Sequence, residues 1–100
     1  MSLWATRVTF LTNSSGVTEL NDGESVGIMN ILIQNTTAGV IDITFTQATP
    51  AGDGTTSVAA ITVPADDSTE WSPCAIFDKG FTVPLLASGV TATISWRPSI

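Results

Sequence analysis

The chain has 100 residues, with nine Asp and Glu against three Lys and Arg, and a net charge of −6 at neutral pH. It contains one Cys, no His and no Tyr, which excludes an internal disulfide and any Ser-His-Asp or Cys-His catalytic group. The usual Cys/His metal clusters are missing, and a chain so poor in Lys and Arg is a weak match for nucleic acid or an anionic membrane surface.

One hundred residues make one domain, with a smaller buried share than a large protein has. Charged residues are 12% of the chain, below the usual quarter. Ser, Thr, Asn and Gln must therefore form much of the polar surface, and such a surface can pack against a neighbour without burying many charges. The single Cys74 is expected to be a buried thiol. The start, Met1 to Val8, lacks the basic and apolar stretches of a secretion signal, and no run approaches a membrane span. A soluble protein made in a cytoplasm is expected. The Asn13-Ser14-Ser15 and Asn35-Thr36-Thr37 triplets are read as turns rather than as glycosylation sites.

In chain order, Trp4 to Leu11 alternates, with Trp4, Thr6, Val8 and Phe10 on one face. Asn13 to Gly16 breaks that strand, Val17 to Leu20 is a short one, and Asn21-Asp22-Gly23 is a tight turn. Val26 to Gln34 is the most apolar stretch and reads as a central strand covered on both faces. Val40 to Gln47 alternates, with Ile41, Ile43 and Phe45 on one side. The two are expected to form an antiparallel hairpin.

Thr49 to Thr56 is an exposed loop, expected to be the most mobile. Ser57 to Val63 is a strand closed by Pro64, and Ser68 to Ser72 a short edge strand. Pro73 to Gly80 reads as a crossover whose Ile76 and Phe77 plug the core. Phe81 to Leu86 and Val90 to Arg97 are expected to form the last hairpin, with Val90, Ala92, Ile94 and Trp96 on one face. The sum is an all-β domain over residues 1–100, an antiparallel β-sandwich of seven or eight strands. A jelly-roll-like arrangement is preferred, because an immunoglobulin-type sandwich would bring paired Cys around a Trp.

Few groupings could carry chemistry. Asp66 and Asp67 with Glu70 could form an acid/base pair or a cation site, but a solvated acidic turn is the simpler reading. The same holds for Asn21-Asp22-Gly23-Glu24. Lys79 beside Asp78 reads as a weak surface pair. No catalytic, cofactor-binding or metal site is assigned, and no cofactor is expected. The aromatics remain: Trp4, Trp71 and Trp96 could stack on sugar rings. Trp4 and Trp96 lie in phase with apolar neighbours, which favours the core. Trp71, after an acidic turn and before Pro73, is the candidate partner or ligand contact.

Four segments bear a likeness to a known class: Thr6-Arg7-Val8-Thr9, Ile31 to Gly39, Phe77 to Val83, and Gly89 to Trp96. In these the chain resembles the short, Thr/Ala/Gly-rich virion proteins of tailed bacteriophages, especially those of cyanobacterial hosts. The resemblance implies a head-decoration (cement) protein, or a small tail or fibre component, with no catalytic residue. The first expectation is a non-enzymatic virion protein that stabilises the capsid by repeated buried contacts, with the major capsid protein or another virion protein as partner. The alternative is a receptor- or carbohydrate-binding module of a phage tail or fibre. Sticky, poorly guarded strand edges and a small core add the expectation of a homo-oligomer, most plausibly a trimer.

Overall fold

The computed structural model describes residues 6–21, 24–48 and 55–98. Among the described residues nine strands follow one another: β1 Arg7–Leu11, β2 Thr18–Leu20, β3 Val26–Asn35, β4 Ile41–Ala48, β5 Thr55–Val63, β6 Asp67–Trp71, β7 Ala75–Phe77, β8 Phe81–Val83 and β9 Val90–Pro98. A 3-10 turn, Asn13–Ser15, is capped by Thr12, whose hydroxyl accepts from the Ser14 amide. Two antiparallel sheets form a sandwich. The first runs β1-β9-β3-β6, with β7 also paired to β3, and the second runs β2-β8-β4-β5. The fold class is as the β-branched alternation predicts. The ninth strand is β7, which lies within the expected crossover and pairs Val26 to Ile28 with Phe77 to Ala75.

Alternation explains the core. On β9, Val90, Ala92, Ile94 and Trp96 are buried and the residues between them are not. Ile43 and Phe45 of β4, Ile61 and Val63 of β5, and Phe81 and Val83 of β8 face them from the second sheet. The chain is a period-2 pattern on both layers. One irregularity matters. The β3–β9 register slips between Ile28 and Asn30, so that Met29 is an extra residue in the ladder. This bulge lets Val26 and Ile28 point inward before it, and Ile31, Ile33 and Asn35 after it. It also explains why this stretch looks continuously apolar. Its other face is only half covered, with Met29 and Leu32 partly buried and Gln34 exposed, so β3 is central without being sealed on both sides.

Neither expected hairpin forms. β3 belongs to the first sheet and β4 to the second, and β8 and β9 are likewise divided. Both sides of β3 are already taken, one by β9 and the other by β6 and β7. The loop after β3 therefore carries the chain across the sandwich. Asn35 is the device that turns it. The side chain is 2% exposed, and its Nδ2 donates to the carbonyls of Gly39 at 2.9 Å and Pro64 at 3.1 Å. Its Oδ1 accepts from the Thr37 amide and hydroxyl. The loop is thereby tied to the turn between β5 and β6. The last loop crosses at the same end, where the Thr36 amide donates to the Gly89 carbonyl at 2.9 Å.

Candidate functional site

Side chains capable of chemistry are scattered. Among the described residues, no group of three or more His, Cys, Asp or Glu could hold a metal ion. Asp66 and Asp67 lie exposed at the β5–β6 turn, with Asp66 in the left-handed region at φ 51 and its amide bound to the Thr37 carbonyl. Asp67 accepts the Ser68 amide at 2.8 Å. Glu70 sits on the opposite face of β6 from Trp71, so the three acids do not converge. Asn21 closes the next turn, its carbonyl accepting the Glu24 amide and its Nδ2 donating to Ser25; Asp22 and Gly23 lie outside the described residues. Asp78 and Lys79 are both exposed, and the Lys79 backbone amide donates to Gln47.

The two glycosylation-like asparagines have structural partners. Asn13 donates to the Leu86 carbonyl at 2.6 Å, and Asn35 is the buried crossover residue. Cys74 departs from expectation: the thiol is exposed, not buried. The residue occupies the left-handed region at φ 48 on the connection from β6 to β7. Its thiol lies 3.7 Å from the Met29 carbonyl.

Trp71 is half-buried on the inner face of edge strand β6. Its ring stacks on Phe45 at 6.1 Å between centroids and lies 6.5 Å from Phe81. Phe77 reaches the same cluster, 5.0 Å from Phe81. Trp71 thus closes one side of the core with other aromatic rings. Trp96 is buried on β9, as its phase predicts, with Arg7 over its ring at 5.3 Å. Trp4 and residues 49–54 of the loop expected over Thr49 to Thr56 lie outside the described residues, and Thr55 and Thr56 of that loop instead open β5.

The two broad faces of the sandwich differ. The strands of the second sheet turn Glu19, Asp42, Thr44, Thr62 and Thr82 outward. They contain no Lys or Arg. The outer face of the first sheet carries Val8 at 66% exposure, Phe10 at 60% and Ile76 at 59%. These are large apolar groups in water, spaced across one surface.

Val8 and Phe10 are the residues that alternation misplaces. Register settles their direction: Phe10 pairs with Thr93 and Val8 with Ser95, whereas Thr9 pairs with buried Ile94 and Leu11 with buried Ala92. Cross-strand partners share a face, so the apolar pair of β1 points outward and Thr9 inward. Ile76 is displaced in the same sense. It pairs with Gly27 on the outer side of β3, while Phe77 alone reaches the core. The signal in the sequence was Leu11, the one apolar residue of β1 in the opposite phase.

No family model matches the chain, nor does any curated protein sequence. Solved structures do share the architecture. Drosophila NLP-core, described by its pentamer formation and histone binding, is similar over 96% of this chain and 99% of that one, with 16% identity and a TM-score of 0.63. PirA is similar over 90% of this chain and 92% of that one, with 19% identity and a TM-score of 0.50. At these identities the likeness is one of fold: a two-sheet sandwich in which the described chain resembles both proteins along nearly its whole length.

Proposed function

We propose that this chain is a non-enzymatic structural protein of a phage virion, a capsid-decoration subunit that works as a homo-oligomer. The observation that carries the reading is the outer face of the first sheet. Three large apolar side chains stand exposed there in a chain with few charges, and such a surface is stabilised when a protein covers it. The titratable groups, by contrast, are spread over separate strands and turns, and among the described residues no three His, Cys, Asp or Glu gather to hold a metal ion. The virion setting comes from the resemblance of the four segments to phage proteins. That the similar Drosophila NLP-core forms pentamers agrees with an assembling subunit. A tail or fibre module that binds sugar would draw on Trp71, and that ring is committed to Phe45 and Phe81.

The test is stoichiometry. Quantitative mass spectrometry and imaging of purified particles should find the chain on the head in hundreds of copies. A few copies at the tail tip would favour the receptor-binding alternative, and absence from the particle would remove the virion reading.

A further inference from the structure

We propose that the outer face of the first sheet docks against the same face of a second copy of this chain, across a two-fold axis lying along the Phe10–Ile76 diagonal. The inference rests on the self-association proposed above and names the surface that makes it.

Register lays out the face. Phe10, Thr93, Leu32 and Glu70 form one row from β1 to β6. Arg97, Gly27 and Ile76 form another, two rows further along β9, β3 and β7. Phe10 and Ile76 therefore occupy opposite ends of one diagonal, with Glu70 on one side of it and Arg97 on the other. Arg97 lies flat over Gly27, where a Cβ would stand 3.5 Å from the Arg97 Cγ.

Rotation about that diagonal sets Phe10 near Phe10 and Ile76 near Ile76 of the other copy. The same rotation carries each Glu70 opposite the other copy's Arg97, twice. Isologous contacts require this self-complementarity. The second sheet lacks it, since its outward charges, Glu19 and Asp42, are both negative, and stacking it on itself would oppose like charges. Area permits the contact. Strands β1, β9, β3, β6 and β7 have 5, 9, 10, 5 and 3 residues, and at about 3.3 Å per residue and about 4.8 Å between strands they give roughly 500 Å² per copy. Two copies then bury roughly 1,000 Å², the threshold for a specific interface. A two-fold contact makes dimers or even-numbered assemblies, in place of the trimer expected from the sequence.

Sedimentation velocity of the purified full chain tests this. Phe10→Asp and Ile76→Asp, at exposed positions, should keep the circular-dichroism spectrum and Tm yet weaken self-association at least tenfold. Val17→Asp and Leu85→Asp, at exposed apolar sites off this face, should leave it unchanged. Glu70→Arg should weaken it, and Glu70→Arg combined with Arg97→Glu should restore it. A wild-type oligomer that survives both Phe10→Asp and Ile76→Asp overturns the face while leaving self-association standing. A wild-type chain that stays monomeric at high micromolar concentration overturns both.

Discussion

The Trp96 indole Nε1 donates to the Thr9 hydroxyl at 2.9 Å, joining side chains 87 residues apart. This bond has a consequence for the surface. Thr9 must face inward to meet the indole, so Val8 and Phe10 on either side of it must face outward. One polar contact at the sheet edge thereby goes with the exposure of Val8 and Phe10 on the outer face of β1.

Thr9→Val removes the acceptor while keeping the shape, and leaves a half-buried indole N–H without its partner. The loss should be about 1 kcal/mol by urea denaturation, the usual worth of such a bond. Trp96→Phe removes the donor together with packing and the Arg7 contact, so it should cost more. In the double variant the Thr9 effect should vanish, because its partner is already gone. Additive losses would show that the two side chains stabilise the strand independently.

Asn35 is the second polar group on which the sandwich depends. Replacing it with Leu fills the space but abandons the Gly39, Val63 and Pro64 carbonyls and the Thr37 amide. Each buried group left without a partner costs about 1–3 kcal/mol. Asn35→Leu should therefore lower stability by roughly 3 kcal/mol or more, despite its greater hydrophobicity. Equal or higher stability in a denaturant titration would show that water replaces the amide without loss.

The layers of the sandwich were legible in the sequence, because burial alternates with period two on β4 and β9 and the sequence alternates with it. The connections were not. Ile31 to Asn35 and Ile41 to Phe45 look like two arms of a hairpin, and nothing local says that the partners of β3 come from β6, β7 and β9. Those pairings join residues far apart in the chain. The bulge at Met29 hid the phase of β3, and the outward turn of Phe10 followed from Thr9, whose role depends on a residue at the other end of the chain. Cys74 lies on the connection between β6 and β7, in the left-handed region and exposed, and nothing in its local sequence marks that placement.

Gly89 supplies a test of the crossing loops. It has φ 86, and a Cβ there would sit 3.0 Å from Thr37 Cγ2 and 3.1 Å from Thr36 Oγ1. Gly89→Ala meets both backbone strain and a crowded neighbour, and should destabilise the fold by about 1–3 kcal/mol. Gly39→Ala, with nothing near its Cβ direction, should change stability by less than about 0.5 kcal/mol. Thermal unfolding of the two variants side by side checks the contrast.

Trp71 separates a core role from a ligand role. Its ring packs on Phe45 and Phe81 and remains half-exposed. Truncating a fully buried Trp to Ala costs about 3–5 kcal/mol, so this half-buried one should lose about 2 kcal/mol. In a 100-residue domain that lowers Tm by roughly 10 °C. Trp71→Phe keeps the aromatic stacking and should recover most of the loss. A sugar-binding platform behaves in the opposite way: Trp71→Ala would leave Tm unchanged and abolish binding on a glycan array. The ring geometry places Trp71 with the core, and the expected result is a destabilised chain with no glycan signal in either the parent or the variant.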